Sequence, residues 1–252
     1  MIRGVDASPI TLTERQLRSF GVLARPDGTI CGAALVTPSI GIVIGRCAVP
    51  PSPASANLTF VTGLHLDLGE TYTITNTYLL PSGIAVFKLA TPVPNVDCVP
   101  VLGVGDSEPV TVDKELVLIG YGDSRNPARE AAELMAGTRG IGTGVVQVAT
   151  PSSLVVNESR GTETAPGDSG GPWLSADRYG LHIVGLTAQV AVEGGTTPYR
   201  LIYITPVVPD EIIGAVSMLQ AKQAASNTGK IVGVAVAGLG ALIVSVVLGM
   251  WD

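Results

Sequence analysis

Between Phe20 and about Thr205 the chain alternates short apolar runs of four to eight residues with turn-forming breaks. The runs include Ala33-Ala34-Leu35-Val36, Ile40-Gly41-Ile42-Val43-Ile44, Gly83-Ile84-Ala85-Val86-Phe87, Leu116-Val117-Leu118-Ile119, Gly144-Val145-Val146-Gln147-Val148 and His182-Ile183-Val184-Gly185-Leu186. Pro-Ser, Pro-Asp-Gly, Asn-Pro and Gly-Gly breaks separate them. Many β-branched residues in short runs at this spacing predict an all-β sandwich or barrel. Two stretches have helical spacing instead. Residues 128–135 predict a short surface helix, and Pro209 to Gln223 predicts a longer one, opened by Asp210 and Glu211 and carrying Ile212, Val216 and Leu219 on one side. No internal repeat is visible at a fixed period.

The tail changes the picture. Residues 231–250 form a twenty-residue run without a charge, and at about 1.5 Å per residue a helix of that length spans roughly 30 Å, the thickness of a bilayer's hydrocarbon core. Gly233, Ala237, Ala241, Ser245 and Gly249 recur every four residues, placing small side chains on one helix face where another helix can approach. Residues 223–230 read as a short linker before it. The expectation is a single-pass membrane protein; a glycolipid-anchor signal is the lesser alternative, because the polar spacer is short. No charged region followed by an apolar run opens the chain, so no signal peptide is visible at Met1-Ile2-Arg3-Gly4.

Composition narrows the function. A net charge of -6 in 252 residues, with 14% charged residues, disfavours nucleic-acid binding, since an acidic surface repels phosphate. Cys31, Cys47 and Cys98 include no CxxC pair, and the histidines are only His65 and His182, so neither metal nor cofactor is expected. Asn57-Leu58-Thr59 and Asn157-Glu158-Ser159 match the N-glycosylation triplet.

The strongest local chemistry is Gly167-Asp168-Ser169-Gly170-Gly171-Pro172. A nucleophilic serine needs its hydroxyl projected into a cleft with backbone N–H groups beside it, and glycines leave those groups unshielded. This run resembles the nucleophile loop of the chymotrypsin/trypsin family. Other segments are similar to the same family: Cys31 to Pro38 with Cys47 following, Val61 to Ile74, Ile84 to Leu89 with Thr91-Pro92-Val93, Val96 to Pro100, Gly120-Tyr121-Gly122, Val184 to Thr187 and Leu201 to Thr205. The resemblance covers roughly residues 2–220. It implies a trypsin-like domain over 1–222 made of two six-stranded antiparallel barrels, the first about 18–105 and the second about 113–206, then a C-terminal helix about 209–222. It implies a Cys31–Cys47 disulfide, oxyanion-hole positions at Gly167, Asp168 and Ser169, and a specificity-pocket base at Glu163.

The departures fall on the catalytic triad. The family places its general base immediately before the second cysteine, and here that residue is Arg46. A guanidinium with a pKa above about 12 accepts no proton from serine at neutral pH. The orienting aspartate is replaced by Gly83, in a shortened loop. Triad members act as a unit, so losing two leaves only weak residual catalysis. His65 and His182 read as ordinary residues of strands away from Ser169. Ala165 replaces the first cysteine of the disulfide that brackets the nucleophile loop, and Met1 precedes the Ile2-Arg3-Gly4-Val5 stretch that resembles the family's activated amino terminus.

The sequence therefore predicts a membrane-anchored, non-catalytic serine-protease homologue that binds a protein or an extended peptide in its cleft, its domain facing the extracellular side or the secretory lumen. A serine endopeptidase using Ser169 with an unusual base is the alternative. A structural or adhesion protein is a further one.

Overall fold

In the computed structural model, residues 10–48, 57–101, 108–122, 137–158, 164, 165, 167–193 and 199–222 are described. The predicted helix over 128–135, Glu163, the amino-terminal stretch and the apolar run over 231–250 lie outside them. Among the described residues no helix is long and apolar enough to cross a membrane. The chain divides into two units, residues 1–212 and residues 213–252.

The short apolar runs form two closed barrels, both in the first unit. Strands β1 (Phe20–Ala24), β2 (Ile30–Thr37), β3 (Ile40–Ile44), β4 (Thr59–Thr62), β5 (Glu70–Leu79) and β6 (Ile84–Leu89) close in the order β1-β2-β3-β6-β5-β4. Strands β7 (Glu115–Gly120), β8 (Gly140–Thr150), β9 (Ser153–Glu158), β10 (Pro172–Asp177), β11 (Gly180–Glu193) and β12 (Tyr199–Pro206) close as β10-β11-β12-β9-β8-β7. Every strand pairs antiparallel with its neighbours. The two barrels share one topology, 1-2-3-6-5-4 counted from the first strand of each. Closure leaves neither sheet with an open edge. A helix over 209–222 follows β12.

Each barrel is filled from its own strands. Leu23, Leu35, Val43, Phe60, Phe87 and Leu89 pack in the first, with the Phe60 and Phe87 rings 5.6 Å apart. Leu116, Leu118, Val146, Trp173, Ile202 and Ile204 pack in the second. Val22, Val61 and Tyr121 form a third cluster where the barrels meet. The pleat explains the division, because neighbouring residues such as Val22 and Leu23 point to opposite faces of β1. The buried Tyr121 hydroxyl donates to the carbonyls of Phe20 (3.1 Å) and Gly63 (2.8 Å), bonding the start of the second barrel to the first.

Candidate functional site

Two short pieces of chain build the site. A four-residue helix (Gly45–Ala48) follows β3 and carries Arg46. Its position is held on both sides. Cys47 is joined to Cys31 of β2 by a disulfide, with Cα atoms 6.2 Å apart. The Arg25 side chain donates from Nη2 to the Arg46 carbonyl (2.6 Å) and from Nε to that of Cys47 (3.2 Å). Nothing in the sequence pattern singles out Arg25, because its partners are main-chain carbonyls.

The second piece is the loop from Gly167 into β10. Its backbone is bonded to both barrels: the Gly32 amide donates to the Ser169 carbonyl (2.7 Å), the Gly170 amide to Thr187 (2.8 Å), and the Thr187 amide to Gly171 (2.9 Å). Thr187 is buried, and its hydroxyl accepts from the Trp173 indole N–H at 3.0 Å. The glycines permit this closeness. A Cβ on Gly32 would meet the Gly171 backbone at 2.6 Å, and one on Gly170 would meet the Gly32 carbonyl at 2.3 Å, where φ is also +81°. The fold therefore has its own demand for these glycines, apart from catalysis.

Asp168 is buried at 1% exposure. Its carboxylate accepts from the amides of Gly122 (2.8 Å) and Ala165 (2.9 Å). Burial pushes its pKa above the ordinary carboxylate value, against those amides, which favour the charged form. The bond to Ala165 ties down the loop where the sequence lacks the bracketing cysteine. The Asp168 amide donates to the Ala165 carbonyl at 3.0 Å. Of the three positions read as oxyanion-hole donors, Asp168 is thus already engaged. Among the described residues the amides of Gly167 and Ser169 donate to no acceptor.

At the centre, Arg46 Nη2 stands 3.0 Å from Ser169 Oγ and donates to it. A base would accept the serine proton at this place. Here the hydrogen bond runs the other way: the guanidinium has donors only, so Oγ accepts, and among the described residues its own O–H has no acceptor. Arg46 is exposed, and among the described residues no carboxylate pairs with it.

Gly83 lies in the tight β5–β6 turn, where its amide donates to the Leu80 carbonyl (3.0 Å) and the Leu80 amide to Ile84 (2.8 Å). Its φ of +82° is one that L-residues rarely adopt. Its carbonyl accepts from Gly45 at 2.8 Å, so the turn lies beside the helix that carries Arg46 but offers it no carboxylate. The Glu211 carboxylate accepts from the Ser82 amide of this turn at 3.2 Å.

The two histidines are elsewhere. The expectation that His65 lies in a strand is corrected: β4 stops at Thr62, where the Gly63 carbonyl turns to Tyr121, and His65 sits just before a 3-10 turn (Leu66–Leu68) with Nδ1 3.1 Å from Thr138 Oγ1. His182 is on β11 opposite Ser175, buried, with Nε2 3.8 Å from Asp177 Oδ2. Cys98 carries a free thiol, whose pKa burial pushes up to about 12. Asn57 is exposed ahead of β4, whereas Asn157 lies within β9 between Val145 and Leu201. Among the described residues no group of three or more His, Cys, Asp or Glu gathers as a metal site requires.

Comparison with curated proteins gives no match. The family model described as Trypsin matches residues 13–209, well over half of the chain. With the paired barrels and the Gly167–Pro172 loop between them, that match settles the family: the chain belongs to the trypsin family of serine proteases.

Proposed function

We propose that this trypsin-family chain is a non-catalytic homologue that uses its cleft to bind a protein or an extended peptide, held at a membrane by residues 231–250. The single observation that carries the reading is the Arg46–Ser169 hydrogen bond of 3.0 Å, in which the residue at the base position donates and cannot accept. Acylation of serine requires its proton to leave as the oxygen attacks, and a permanent cation offers no place for that proton. His65 and His182 are engaged with Thr138 and beside Asp177, so neither supplies the missing base.

Retention of the six loop residues has a physical reason without catalysis. Gly32, Gly170 and Gly171 allow two backbones to pack in contact, and Asp168 satisfies buried amides. The cleft of this fold accommodates an extended strand, and a strand can dock there through main-chain hydrogen bonds without being cut. The uncharged run over 231–250 supports the membrane tether, and the Cys31–Cys47 disulfide supports a domain on the oxidising side of it.

The test is labelling of the full chain with a fluorophosphonate probe. No labelling of Ser169 is expected; robust labelling abolished in Ser169→Ala would establish a working nucleophile and the endopeptidase reading. Carbonate washing of membranes is expected to leave the protein in the pellet, and release into the supernatant would remove the tether from the account.

A further inference from the structure

We propose that the site at Ser169 is a carboxylate receptor: Arg46, the Ser169 hydroxyl and the amides of Gly167 and Ser169 together hold a carboxylate of the bound peptide. The inference rests on the non-catalytic reading and deepens it by naming the ligand chemistry. Arg46 is bonded to Ser169 Oγ, and in the same loop the amides of Gly167 and Ser169 donate to no acceptor among the described residues. Because Oγ accepts from the guanidinium, its own proton is available to a ligand oxygen. The loop that would stabilise a transient oxyanion is thereby joined by a permanent positive charge, and a group that is already an anion in its ground state gains from both.

The loss at Gly83 belongs to the same device. Glycine at that position leaves the turn beside the helix carrying Arg46 without a carboxylate. With glycine there, in a turn whose carbonyl bonds Gly45, no carboxylate among the described residues pairs with the guanidinium. Buried Asp168 does not take its place, since its oxygens are directed at Gly122 and Ala165. Two substitutions that each damage a protease thus combine into one anion site. Arginine suits it, because its fork of N–H groups can bond Ser169 and a ligand oxygen at once.

The experiment follows the Gly167 and Ser169 amide resonances of the isotopically labelled full chain as acetate is added, with acetamide as the neutral isostere. Acetate is expected to shift both signals saturably and acetamide to leave them in place. Arg46→Gln is expected to weaken the acetate response at least about tenfold, the loss of one charge-assisted bond, with Arg46→Lys falling between. Three small peptides then separate the sources: N-acetyl-dialanine with a free carboxyl end, its C-terminal amide, and N-acetyl-glutamic acid amide. Binding of the first alone assigns a chain terminus, and binding of the third assigns an acidic side chain; either supports the receptor. Silent amides in all titrations, or an equal response to acetamide, would overturn it. Fluorophosphonate labelling keeps the two claims apart. A labelled Ser169 would defeat the non-catalytic reading, while an unlabelled Ser169 with silent amides would defeat only the carboxylate site.

Discussion

At the scale of single residues, the decisive fact is the direction of one hydrogen bond. Replacing Arg46 by His puts an acceptor back at the base position, but Gly83 supplies no carboxylate to fix the imidazole's tautomer. Arg46→His is therefore expected to leave Ser169 about 10⁴-fold less reactive than a complete triad, the cost of an unoriented imidazole; labelling rates against trypsin check this. The glycines can be ranked in the same way. Gly32→Ala drives a methyl into backbone that cannot give way, and a loss of about 1–3 kcal/mol is expected in urea unfolding. A Cβ at position 83 meets nothing within 4 Å, so Gly83→Ala is expected to cost only the strain of its φ of +82°, about 1–2 kcal/mol. Arg46 and Gly83 were legible through the family resemblance, which marks the positions before Cys47 and before the Ile84 run. That Arg46 reaches Ser169 was not, because the two are far apart in sequence and only folding sets their separation.

Among the elements, the helix Gly45–Ala48 is the one the site depends on. It is too short to be stable by propensity, so the disulfide and Arg25 hold it. Removing the bridge with Cys31→Ala and Cys47→Ala, which opens a loop with a sequence separation of 16, is expected to cost about 3 kcal/mol. Comparison of unfolding midpoints for the double variant and the parent measures the cost. The break between β5 and β6 was readable from Pro-Ser, where Gly83 adopts positive φ; the β10–β11 turn, closed by Gly180 at positive φ, was not singled out. The end of β4 was not, since it is fixed by a bond from Tyr121, a residue of the other barrel.

For the whole molecule, two identical topologies arise from halves without visible sequence repetition. Barrel closure constrains only which positions face inward, and many apolar residues satisfy it, so the pattern left sandwich or barrel open, the family resemblance implied two six-stranded barrels, and their shared strand order came from the structure. Stability toward acid has a local source in the first barrel. The Tyr72 hydroxyl and the Arg18 guanidinium, 2.9 Å away, hold the Glu70 carboxyl below its ordinary value of 4.5. A lowered folded-state pKa contributes stability above the ordinary value and loses it as pH falls through the lowered one. Glu70→Gln is expected to be less stable than the parent at neutral pH and to converge with it below about pH 4. Urea midpoints at the two pH values report it.

The central claim is that nothing beside Ser169 takes its proton. The rate of fluorophosphonate labelling at Ser169 across pH 5 to 9 tests it most directly. The account predicts background rates with no inflection in the range where an imidazole titrates, about pH 6.5. A rate that rises through that range and disappears in Ser169→Ala would contradict it.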